Sequence, residues 1–94
     1  MEPSTREVVW SWLVLHPGRT AYEVARVALR KRGPTSAHVH SGSTLKLLIR
    51  MEQAGQVTRS REYRAQQGRD VDLWSAAPGW SATGGGLVRG EAAR

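Results

Sequence analysis

Three helix-stopping signals, Pro17-Gly18, Gly33-Pro34 and Gly55, cut the first part of the chain into short segments, each long enough for one helix. After Gly55 the apolar spacing gives way to β-compatible runs separated by a polar loop. A chain punctuated in this way folds as a cluster of short helices followed by a hairpin. With 94 residues it has room for one modest core and no second large domain.

The first segment opens on Ser4-x-x-Glu7, a capping box in which the serine hydroxyl takes the N3 amide and the glutamate reaches back to the cap amide. Helix 1 is expected from about Thr5 to Leu15, with Val8, Val9, Trp12, Leu13 and Leu15 as its apolar stripe. Thr20-x-x-Glu23 repeats the box and starts helix 2, from about Ala21 to Lys31. Ala21, Val24, Ala25, Ala28 and Leu29 fall on one of its faces, and Glu23, Arg26 and Arg30 on the other. Residues Thr35 to His40 show no clear period and read equally as loop, short turn or extension of the next helix. Ser41 or Ser43 then caps helix 3, whose broad apolar arc is Leu45, Leu47, Leu48, Ile49 and Met51, opposite Ser43, Lys46, Arg50 and Gln53.

Beyond Gly55 the strands are expected at Val57 to Tyr63 and Val71 to Ala76, joined by the polar loop Arg64 to Asp70. Trp12 and Trp74 read as core anchors. The fold class is mainly α with a β-hairpin (α+β), a domain over residues 1-78. Residues 79-94 are too glycine-rich to bury much surface and read as a mobile tail, with Trp80 as the exception.

The formal charge is +6, and it is concentrated: Val24 to Arg69 holds ten basic residues against Glu52 and Glu62. A polyanionic partner is expected, nucleic acid first, then an acidic protein surface. The absence of cysteine excludes disulfide frameworks, thiolate zinc sites and cysteine nucleophiles. The start lacks a basic, apolar leader and no run is long enough to cross a membrane, so a cytoplasmic location is expected. The catalytic inventory is thin, with no phosphate loop, nucleophile elbow or HExxH pattern, and the reading is a non-enzyme without cofactor. Asp70 and Asp72 read as a polar strand edge rather than a catalytic pair. His38-Val39-His40 lacks a third ligand nearby and falls short of a metal site.

The chain resembles the winged helix-turn-helix family from Thr5 to Ala77. The resemblance lies in Trp12-Leu13 before His16-Pro17-Gly18-Arg19-Thr20-Ala21-Tyr22-Glu23-Val24-Ala25, in Thr44-Leu45-Lys46-Leu47-Leu48-Ile49-Arg50-Met51-Glu52-Gln53-Ala54-Gly55-Gln56-Val57-Thr58-Arg59, and in Leu73-Trp74-Ser75. Its most telling stretch, Ala54-Gly55-Gln56-Val57, looks like the family's recognition helix running into the first wing strand. The resemblance implies binding of double-stranded DNA, with helix 3 in the major groove and the hairpin wing on the backbone or minor groove. It implies a small transcriptional regulator of a bacterium, phage or plasmid. The long connection Arg32 to Gly42 departs from the family's short turn.

On this reading Ser43, Thr44, Lys46 and Arg50 approach base edges or phosphate. Arg59, Arg61, Arg64 and Arg69 surround the hairpin loop and grip phosphates, the bland alternative being a solvated, aggregation-resistant strand edge. Arg32, in the run Arg30-Lys31-Arg32, and His40 are further DNA-binding candidates, although a helix C-terminus favours cations without any ligand. Trp10 and Val14 form a second apolar patch on helix 1, either covered by Trp80 or serving as a homodimer surface. Two rival functions are a protein-interaction module that binds a host protein and a DNA-bending recombination accessory factor.

Overall fold

The structure, a computed structural model, describes residues 4–29 and 37–90, the side chains of 37–41 excepted. Helix α1 spans Thr5–Leu15 and is capped by Ser4, whose Oγ accepts from Glu7 N at 3.1 Å. Only this half of the expected capping box forms. The Glu7 carboxylate turns away to accept from Gly84 N at 2.6 Å, drawn by a backbone donor brought from the other end of the chain. The helix stops at His16, whose N–H reaches Trp12 O, and Gly18 adopts φ 72° to turn the chain.

The buried line of α1 is narrower than the expected stripe, and Leu15 falls outside it. Val9 and Leu13, at i,i+4, are fully enclosed, and Val8 and Trp12 are half-buried. Leu15 is 75% exposed because it projects from the side opposite Val9 and Leu13. Trp10 packs toward the core rather than away from it.

Helix α2, Ala21–Glu23, begins with a complete capping box: Thr20 Oγ1 accepts from Glu23 N at 3.1 Å, and Glu23 Oε1 from Thr20 N at 2.9 Å. It continues as a π-helical turn, Val24–Ala28, closed by Leu29 N to Val24 O at 3.2 Å. Leu29 leaves helical geometry at φ −108°, ψ 6°, so helix 2 stops short of the expected Lys31, which with Arg30 lies outside the described residues.

Helix α3 spans Ala37–Gln53. Residues 37–40 are thus an extension of the helix, and Ser41 and Ser43 lie inside it rather than capping it. No strong helix breaker stands between Ala37 and Gly55, so the helix propagates back beyond the serines, tolerating Gly42. Thr44, Leu48 and Met51 form its buried line against the core. It closes as sequence chemistry dictates: Gln56 N bonds Met51 O at 2.8 Å, Gly55 N bonds Glu52 O at 2.9 Å, and Gly55 takes φ 80°.

Strands β1, Val57–Arg64, and β2, Arg69–Ala76, pair antiparallel from Val57↔Ala76 to Arg64↔Arg69. Gly68, at φ 67°, makes the tight end of the turn by bonding Arg64 O at 2.8 Å. Arg19 adds a bridge on the far edge of β2, exchanging backbone bonds of 3.0 and 2.7 Å with Trp74. Trp74 sits at the meeting point of all these elements, with Val9, Leu13, Val24, Leu48, Met51 and Val57 around it.

The described part of the expected tail, residues 79–90, is structured. Strands β3, Trp80–Ala82, and β4, Leu87–Arg89, form a second antiparallel hairpin. Its glycines provide geometry: Gly79 and Gly84 take φ 91°, and Gly90 is buried where an added Cβ would meet Ser81 Oγ at 2.8 Å. The hairpin is fastened by Glu7 to Gly84, by Trp80 Nε1 to Gly55 O at 3.0 Å, and by Leu87 packed on the core. Among the described residues the fold is α+β, with three helices and two hairpins, and no helix is long and apolar enough to cross a membrane.

Candidate nucleic-acid interface

The outward face of α3 follows from its buried one. With Thr44, Leu48 and Met51 fixed inward, Lys46, Arg50 and Gln53 project to solvent, with Ile49 half-buried between them. Among the described residues neither Lys46 nor Arg50 has an ion-pair partner, so both ammonium and guanidinium are available to an anion. Ser43 is exposed on the shoulder of this face. Thr44, expected beside it, is withdrawn: at 2% exposure it belongs to the core line and touches no external ligand.

The arginines of the first hairpin divide into two groups. Arg59 is internally committed. Its Nη2 and Nε donate to Glu52 Oε1 and Oε2 at 2.9 and 3.3 Å, and its Nη1 to Asp72 Oδ2 at 3.4 Å. The same guanidinium lies 5.0 Å from the Trp74 ring centroid. A cation held by two carboxylates and an aromatic face has little left to offer a phosphate, so Arg59 is a fastener between the hairpin and α3 rather than a backbone contact. Sequence alone could not assign this, because Glu52 and Asp72 meet Arg59 only through the register of β1 with β2 and the angle of α3.

Arg61 shares Asp72, its Nε donating to Oδ1 at 3.1 Å, yet its side chain stays 66% exposed. Arg64 stands 3.8 Å from the exposed Glu62, a loose surface pair of small energetic weight. Arg69, across from Arg64 in the register, is exposed and without an ion pair among the described residues. Arg32 and the side chain of His40 lie outside the described residues. The side chain of His38 falls likewise outside them.

Arg61, Arg64 and Arg69 look into a cleft of about 960 Å³ that is walled on the other side by α2 and the first half of α3. Sequence reasoning missed this cleft and two residues that line it, Tyr22 and Val27, which are 46% and 49% exposed. In a regular α-helix they would diverge; the wider π-turn carries Val27 round toward Tyr22, and Arg26 Nη1 donates to the Tyr22 hydroxyl at 3.3 Å.

The third expected cluster is only partly assembled. Trp10 Nε1 donates to Ala77 O at 3.2 Å, and Trp10, Val14 and Trp80 line a shallow groove of about 370 Å³. Trp80 does not cover Val14, which remains half-exposed; it is held instead at Gly55, with Arg89 stacked 4.7 Å from its ring centroid. Of Asp70 and Asp72, Asp72 is shared by Arg59 and Arg61.

No family model, curated protein or solved structure gives a significant match to the chain.

Proposed function

We propose that this chain is a winged-helix protein that binds double-stranded DNA, with α3 in the major groove and the first hairpin as a wing along the phosphate backbone. The observation that carries the reading is the exposed pair Lys46 and Arg50 on α3, without an ion-pair partner among the described residues, on the same helix whose first half shares a cleft with Arg61, Arg64 and Arg69. Lys46 and Arg50 are four residues apart, so one helix turn presents two cations and the Gln53 amide to a groove edge. The order of three helices and a hairpin, with Arg19 bridging β2, supports the winged-helix arrangement. The biological role that fits a small, basic reader of this kind is transcriptional regulation in the cytoplasm of a bacterium or of a phage's host, by promoter occlusion or recruitment of another factor.

The test is a titration of the protein against random-sequence duplexes at two salt concentrations, with sequencing of the retained fraction. An enriched motif is expected for a regulator, and a palindromic one for a dimer. Salt-sensitive retention without a motif would replace the regulator by a DNA-bending accessory role. No retention at low salt would overturn DNA binding altogether.

A further inference from the structure

The cleft between α2 and the first hairpin has a composition that phosphate binding does not explain. Its walls expose Tyr22, Val27 and Leu45, the last 39% accessible, beside the half-buried Val71. Leaving these side chains to water forgoes the favourable burial that a partner covering them would provide. Around them stand Arg26, Arg61, Arg64 and Arg69.

The acids of the cleft are largely spent inside the fold. Glu23 is occupied by the Thr20 amide and hydroxyl and lies 4.0 Å from Arg19. Asp72 is shared by Arg59 and Arg61. Asp70 alone among the lining acids has no ion pair among the described residues. The balance is therefore an apolar strip within a basic rim, and the π-turn from which Val27 lines the same cleft as Tyr22 is a departure from regular helix that is frequent at functional sites.

We infer that this cleft is a docking groove for an acidic amphipathic helix of a partner protein, its apolar ridge on Tyr22, Val27 and Leu45 and its carboxylates on the surrounding arginines. An aliphatic ridge at i, i+3/i+4 and i+7 matches apolar side chains set between a helix and a hairpin, and flanking glutamates match the rim. Phosphodiester strands meet the arginines but leave the apolar strip unused, which is why charge complementarity together with the exposed strip selects a protein partner. Because Arg61, Arg64 and Arg69 serve both surfaces, such a partner displaces DNA. The competition alone rests on the function proposed above.

The probe is a synthetic helix with leucine at i, i+3/i+4 and i+7 and glutamate elsewhere, titrated into the isotope-labelled full chain and followed by NMR. A control peptide replaces the leucines by alanine at the same charge. The Leu/Glu helix is expected to shift the signals of Tyr22, Val27 and Leu45 and to bind at least about tenfold more tightly than the control. Val27→Ser is expected to weaken it by a similar factor while leaving the far-UV circular dichroism and the affinity for duplex unchanged.

Equal binding of the two peptides, indifference to Val27→Ser, or shifts confined to other residues would overturn the groove, as would absence of binding. A duplex that binds but is not displaced by the peptide would overturn the shared use of the arginines. A duplex that does not bind counts against the DNA-binding proposal only, since the peptide measurements need no DNA.

Discussion

Arg59 and Glu52 join the first hairpin to the last turn of α3 through two guanidinium nitrogens, at 2.9 and 3.3 Å, while the same guanidinium lies over Trp74. The pair is partly shielded, with both side chains about one-third accessible, and each charge is further fixed by its neighbour Asp72 or by the helix. Its work is orientation: it holds the strand that carries Arg61 at a set distance from the face that carries Lys46 and Arg50.

Arg59 and Arg69 are therefore expected to behave oppositely although both were read from sequence as backbone contacts. Arg59→Ala removes the stack on Trp74, leaves Glu52 without its partner and leaves Asp72 to Arg61 alone, so stability falls by about 1–2 kcal/mol in urea denaturation. Arg69→Ala leaves the denaturation midpoint in place and makes the salt dependence of duplex binding shallower by about 1. A reversed pattern would mean that Arg59 is the phosphate contact.

On α3, Lys46→Ala and Arg50→Ala are expected to relax preference at particular base positions by about 1–3 kcal/mol per lost specific contact. Equal losses on every sequence, measured by competition with unrelated duplexes, would reduce both residues to phosphate contacts.

Thr44 is expected to act on folding and not on recognition. Thr44→Lys would place a charge on the buried line with Leu48 and Met51, and a loss of several kcal/mol is expected in thermal or urea unfolding. Retention of stability with a gain in duplex affinity would move Thr44 back to the outer face.

Shortening the chain after Pro78 separates the two readings of its last part. A dangling tail would leave the melting temperature unchanged. The hairpin described here covers Glu7 and packs Leu87 on the core, so its removal is expected to lower stability by more than about 2 kcal/mol. Calorimetry of the two lengths of chain decides between them.

Gly55→Ala tests the hinge between α3 and β1. Alanine meets no neighbour there, but φ 80° is a left-handed conformation, and the expected loss is about 1–2 kcal/mol in urea denaturation. No loss would mean that the helix end shifts to accommodate a side chain.

Local chemistry was enough to read both ends of α1, the start of α2 and the end of α3. Ser4, Thr20, Pro17-Gly18 and Gly55 act through hydrogen bonds and dihedral limits within a few residues of themselves, and those signals survive in any tertiary context. The polar outer arc of α3, with Lys46 and Arg50, was legible for the same reason, because helical spacing alone sets it opposite Leu48.

Other features depend on parts of the chain that are distant in sequence. Glu7 abandons its own capping box for Gly84, and Trp80 finds its acceptor at Gly55, so a glycine-rich segment that looks unable to fold is held by contacts its own residues cannot announce. Thr44 is buried and Leu15 exposed because packing selects one line from a broad apolar arc, and composition does not say which. The division of labour among the hairpin arginines follows from strand register and helix angle, which bring Glu52 and Asp72 to Arg59 and leave Arg69 to solvent. Sequence determined where α1 and α3 stop and the sign of the charge, because these are set by neighbours along the chain. Tertiary structure decided which cations remain free and where the apolar cleft opens, because ion pairing and burial are set by neighbours in space.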